Sequence, residues 1–117
     1  MTLHVHTFFE RVGAAKKRIR QVSAEAAMTL VGEGAVLIDV RDDEEFGRGH
    51  IDGAVRIDVE ALEAEIPRIV PDEGTVILCY CSRGHRAALA TDALQRLGYR
   101  NVVSIEGGLG AYLAAFE

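Results

Sequence analysis

The chain has 117 residues, 49% of them apolar and 26% charged, and a net charge of −5. That length suits one domain with its own core, and this composition excludes a disordered chain. No apolar run nears the roughly 20 residues that span a bilayer, no basic-then-apolar leader opens the sequence, and Cys79 and Cys81 are too close to staple a fold, which together predict a cytoplasmic protein without disulfides.

The charge is uneven. Residues 1–22 carry Arg11, Lys16, Lys17, Arg18 and Arg20 against Glu10, a net of +4, which leaves −9 on the rest. An acidic body argues against nucleic-acid binding. Within this arm Phe8, Val12, Ala15, Ile19 and Val22 recur at helical steps, with the basic residues off the stripe. The arm is read as a helix packed on its own domain or on a second subunit, which would make a homodimer through residues 1–22. A membrane-surface or partner-docking helix and a disordered tail are the competing readings. His4 and His6 alternate as in an extended segment and are read as solvated, since no third ligand accompanies them.

From Ser23 onwards short apolar runs alternate with helical patterns. Ser23 is placed as the N-cap of a helix over 24–31, closed by Gly32 and Gly34. Residues 35–40 read as a buried strand that ends in Asp39 and Arg41, at the carboxyl end where α/β sheets gather functional groups. Asp42 caps a short turn, a glycine-punctuated loop holds His50, and a strand follows over 54–57. His50 is read as structural, bonding to loop backbone or to Asp39. A surface helix over 59–66 is expected to stop at Pro67. Ala87, Ala90, Leu94 and Leu97 mark another helix, residues 101–105 a last strand, and residues 109–116 a terminal helix. This alternation predicts an α/β fold: one small parallel sheet with helices on both faces.

The stretch from Thr75 to Ala90 combines a buried strand, a polar loop opening with Cys81 and an alanine-rich helix. A thiol at the end of a strand and the start of a helix meets converging amides, and Arg83 and Arg86 add positive charge, so Cys81 is read as a nucleophilic thiolate. Gly84 permits the sharp turn. Cys79, inside the apolar strand, is read as a buried small hydrophobe. Its spacing from Cys81 makes a disulfide between them unexpected. No histidine–carboxylate pair serves acyl transfer, and no metal is implied, which leaves phosphate-ester cleavage or sulfur transfer. Cysteine-dependent phosphatases use Cys-x5-Arg, but here that position is Ala87; the spacing is Cys-x4-Arg, ending at Arg86. The shorter ring fits one sulfur atom better than a tetrahedral oxyanion.

With these residues in place, the chain resembles the rhodanese family of sulfurtransferases over residues 23–117, with 1–22 as a separate arm. The resemblance rests on Leu37-Ile38-Asp39-Val40-Arg41, the run from Glu45 to Ala54, Cys81-Ser82-Arg83-Gly84-His85-Arg86, Leu97 to Val102, and Gly107-Gly108. Two departures are visible: Ser82-Arg83 where many members have Arg then Ser, and Tyr112 at a position often held by Trp. The resemblance implies a three-layer rhodanese-like sandwich with about five strands, and no cofactor. It implies that Cys81 takes sulfane sulfur from a small anionic donor such as thiosulfate and passes it to cyanide, a thiol or a partner protein. The amides of Ser82 to Arg86 would hold the persulfide, and Arg86 with Arg83 would bind the donor. Asp39 and Arg41 would brace the loop, and His85 would shape the rim. A sulfur-relay module acting on a partner protein is the alternative, and a non-catalytic or phosphatase-like domain a third.

Overall fold

The computed structural model describes residues 7–116. Among them, five parallel strands form one sheet in the order β1-β5-β4-β2-β3. The strands are β1 (Arg20–Val22), β2 (Val36–Asp39), β3 (Val55–Arg56), β4 (Val76–Tyr80) and β5 (Asn101–Ile105). The helices are α1 (Phe8–Lys16), α2 (Ala24–Gly32), α3 (Asp43–Arg48), α4 (Leu62–Ile69), α5 (His85–Arg96) and α6 (Gly108–Ala114).

The strands read as continuous apolar runs because both faces of the sheet are covered. Alternate residues divide between two cores. Ile38, Ile77, Cys79 and Val102 face α4 and α5 with Leu62, Ile66, Ala87 and Leu94. Leu37, Leu78, Tyr80, Val103 and Ile105 face α2 and α6 with Ala27, Leu109 and Tyr112. β4 lies at the centre of the sheet, between β2 and β5, so Cys81 emerges where the scaffold is deepest.

The expected caps are present. Ser23 Oγ accepts from Ala26 N–H (3.1 Å), and Asp42 and Glu45 form a reciprocal capping box on α3. Two expectations need correction. The helical stripe of the arm stops at Lys16, and Arg20–Val22 is an edge strand paired with Val103–Ile105. Ile19 and Val22 fit a helical step by coincidence, since three residues are too few to distinguish a period of 2 from one of 3.6. Secondly, α4 runs through Pro67 to Ile69, with Val70 N–H donating to Ile66 O at 2.7 Å. The fully buried Leu62 and Ile66 hold it to the sheet, and that packing outweighs the one bond Pro67 cannot make. Of the two partners expected for His50, backbone or Asp39, the structure shows backbone: its Nδ1–H donates to Phe46 O at 2.9 Å, and its ring stacks on Phe46 at 3.7 Å.

The arm packs on its own domain. Val12 and Ala15 of α1 bury against Ala88 of α5, Arg18 forms a bidentate pair with Asp92 (3.0 and 2.7 Å), and Gln95 Nε2 donates to Arg18 O at 3.1 Å. His4 and His6 lie outside the described residues. No helix among the described residues is long and apolar enough to cross a membrane.

Candidate active site

The loop after β4 is shaped from both ends. Gly84 adopts φ +100° and caps α5, and this turn swings the first amides of the helix back over Cys81. Cys81 Sγ accepts from Gly84 N–H at 3.1 Å and from Ala87 N–H at 3.3 Å. One amide lies inside the expected span of Ser82 to Arg86. The other comes from the residue beyond it, because Ala87 sits in the first turn of α5, where N–H groups have no intrahelical acceptor. The loop carbonyls turn the opposite way. Leu109 N–H donates to Cys81 O (2.8 Å) and Gly110 N–H to Ser82 O (3.2 Å), so α6 fastens the outside of the loop while α5 lines the inside. A side chain at Gly108 would place Cβ 2.5 Å from Cys81 O, so the Gly107-Gly108 pair is what lets the two backbones touch.

Arg86 does not point at an open anion site, as the sequence led us to expect. Its guanidinium pairs bidentately with Glu45 (2.7 and 2.9 Å), and Ser82 Oγ donates to the same carboxylate at 2.9 Å. Glu45 thus clasps the loop at both ends of its polar run, and the Arg86 hydrogen bonds hold its carboxyl well below the usual carboxylate range. In the sequence Glu45 stood out only as the first residue of the run from Glu45 to Ala54; its place at the Cys81 loop depends on α3 lying beside that loop. Asp39 and Arg41 are placed differently from the expectation too. They form a buried pair (2.8 Å), and Arg41 also donates to Gly49 O at 2.7 Å, so they brace the glycine loop after α3 and not the Cys81 loop. Ile51 N–H donates to Tyr80 Oη (3.0 Å), fastening the same loop to the end of β4.

Because Glu45 loses its partners when protonated, the clasp has a sign in pH. A carboxyl held low when folded adds stability above its ordinary pKa near 4.5, and that stability is lost as pH falls toward the folded value. Glu45→Gln should therefore flatten the fall of melting temperature between about pH 6 and 3, and should lower catalytic efficiency by about 10²-fold through misplacement of the loop. Thermal melts across that range and steady-state turnover read the two effects.

The sulfur opens into a cleft of about 430 Å³ formed by Cys81, Ser82, Arg83, His85, Arg86 and Phe8. Ser82 also lines a larger cleft of about 640 Å³, together with Arg41, Glu45, His50, Leu109, Tyr112 and Leu113. Arg83 is exposed at the rim. A buried thiol sulfur at a helix start, with two amides on it, is built to carry charge on sulfur.

A family model for the rhodanese-like domain matches residues 23–115. The chain belongs to that family. Among curated relatives, a thiosulfate sulfurtransferase GlpE of Pseudomonas entomophila is 33% identical over 97 residues, covering 83% of this chain and 87% of its own. A tRNA uridine(34) hydroxylase of Bacillus pumilus is 40% identical over 82 residues, but the match spans only 25% of that protein. Among solved structures, a Rhodopseudomonas palustris protein of unknown function, described as a possible tyrosine phosphatase, superposes with a TM-score of 0.86 at 29% identity over 99% of this chain and 96% of its own. The human single-domain sulfurtransferase TSTD1 gives 0.71 at 29% identity over 80% of this chain and 95% of its own.

The other cysteine of this rhodanese-like domain is inert by its surroundings. Cys79 is fully buried in β4, and burial pushes its thiol up to about 12. Both cysteines are free.

Proposed function

We propose that the protein is a sulfurtransferase working through a persulfide on Cys81. The observation that carries this reading is the pair of amides on Cys81 Sγ, at 3.1 and 3.3 Å, in a loop ending at Arg86. In the first half-reaction the Cys81 thiolate attacks the outer sulfur of thiosulfate. The sulfur–sulfur bond of the donor breaks, sulfite leaves with its electron pair, and Cys81 carries the sulfur. In the second half an acceptor thiolate or cyanide attacks that outer sulfur, the bond to Sγ breaks, and the Cys81 thiolate returns. The Gly84 and Ala87 amides offset negative charge on sulfur before and after each step. Arg83 is the cation poised for the anionic donor, since Arg86 is held by Glu45. A compartment that keeps Cys81 reduced, such as the cytoplasm, suits this cycle.

The orientation of Arg86 disfavours phosphatase chemistry, in which an arginine must turn inward to hold phosphate; aryl-phosphatase activity should be absent. Incubation with thiosulfate, followed by intact-mass and peptide analysis, tests the sulfur-transfer reading. The expected result is a gain of one sulfur atom on the peptide holding Cys81. No gain with thiosulfate or with an organic persulfide would refute it.

A further inference from the structure

The mouth over Cys81 has one wall that its chemistry does not require. Five of its six lining residues belong to the loop from Cys81 to Arg86; the sixth is Phe8, from the first turn of α1. Phe8 is 41% exposed and Phe9 70%, an arrangement that burial in the domain core does not explain. The two rings meet edge-on at 5.4 Å, and Phe9 in turn meets His85 edge-on at 5.6 Å, so an aromatic row joins α1 to the rim of the loop. This row is firmly placed. Thr7 and Glu10 form a capping box at the start of α1, Val12 and Ala15 bury against α5, and the Arg18–Asp92 pair fixes the far end.

A small oxyanion donor needs amides and a cation and has no use for an aromatic ring. The ring therefore serves the second half-reaction. We infer that Phe8 determines acceptor specificity: the sulfur acceptor is a thiol with an apolar body, which packs on the Phe8 ring while its sulfur reaches the Cys81 persulfide. This rests on the sulfur-transfer reading above. Phe8 lies outside the residues 23–115 that the family model matches, so the selectivity is carried by a segment outside the common domain.

The test compares two thiols of similar nucleophilicity, phenylmethanethiol and 2-mercaptoethanol, as acceptors from the loaded protein. Wild type should favour phenylmethanethiol. Phe8→Ala should cut the ratio of the two catalytic efficiencies by about tenfold, as expected for losing an apolar contact of ring size, and Phe8→Leu should retain most of it. A purely structural role for Phe8 would lower both efficiencies in parallel, and an unchanged ratio in loaded protein overturns the inference alone. Failure of wild type to take up sulfur overturns the sulfur-transfer reading and this inference with it.

Discussion

Cys81→Ser should lower sulfur transfer from thiosulfate to cyanide by at least about 10³-fold, with no sulfur recovered on the protein. A serine hydroxyl at neutral pH carries almost no alkoxide, and among the described residues no side chain hydrogen-bonds to the Cys81 sulfur so as to take its proton. The groups facing the reactive atom are the amides of Gly84 and Ala87, both donors. Among the described residues, the contacts to that atom suit a charge on sulfur but include no base that would generate one on oxygen. Cys79→Ala is the matching control. Cys79 is sealed in β4 and its thiol is pushed up to about 12, so it forms no thiolate at neutral pH. Removing its sulfur should leave loading on Cys81 in place and cost about 1 kcal/mol through a small cavity. Intact mass after thiosulfate, on both variants, reads the contrast directly.

The contrast between the cysteines was legible in the sequence because polarity changes abruptly after Tyr80. So was the α/β order, since short apolar runs of strand length alternate with helical patterns, two of them opened by the N-caps Ser23 and Asp42. Other features were hidden for physical reasons. β1 contributes three residues at a sheet edge, and its pairing with β5 depends on partners some 80 positions away in the chain. Pro67 stays helical because packing of Leu62 and Ile66 overrides its local preference. The roles of Arg86 and Arg41 depend on which acceptors the fold brings near, and nothing in their sequence spacing predicts that. Arg86 finds Glu45 on α3, and Arg41 finds Asp39 and Gly49 O. Phe8 was seen as one residue of a helical stripe; only the seating of α1 on α5 carries it to the mouth of the site.

These contacts divide the work on the loop among three elements. α5 supplies the amides that face the sulfur, α3 supplies the carboxylate that clasps Ser82 and Arg86, and α6 supplies the amides that hold the loop carbonyls outward. Disturbing the last of these should show how far the orientation of the loop peptides matters, apart from the charge on Glu45.

Gly108→Ala is the substitution that does so. Gly108 adopts φ +65°, where a side chain costs about 1–2 kcal/mol. Its Cβ would also lie 2.5 Å from Cys81 O and 2.7 Å from both the carbonyl carbon and the oxygen of Ser82. These are backbone atoms, so no side-chain rotation relieves the overlap. The start of α6 must move away, which breaks the bonds from Leu109 N–H and Gly110 N–H and frees the loop carbonyls to turn toward the sulfur. A carbonyl facing the Cys81 thiolate repels the charge that the amides hold. The expected result is a loss of about 2–5 kcal/mol in stability, and a further fall of about 10²-fold in catalytic efficiency in the fraction that remains folded. Gly110→Ala separates these effects from a general intolerance of side chains in α6. Gly110 lies on the same helix, has no positive φ, and its Cβ would meet Ser82 O at an ordinary 3.7 Å. It should match or exceed wild type in melting temperature, since alanine favours the helix. Equal losses in the two variants would show that α6 only fills space beside the loop; loss confined to Gly108→Ala would show that the close backbone approach sets the geometry at the sulfur.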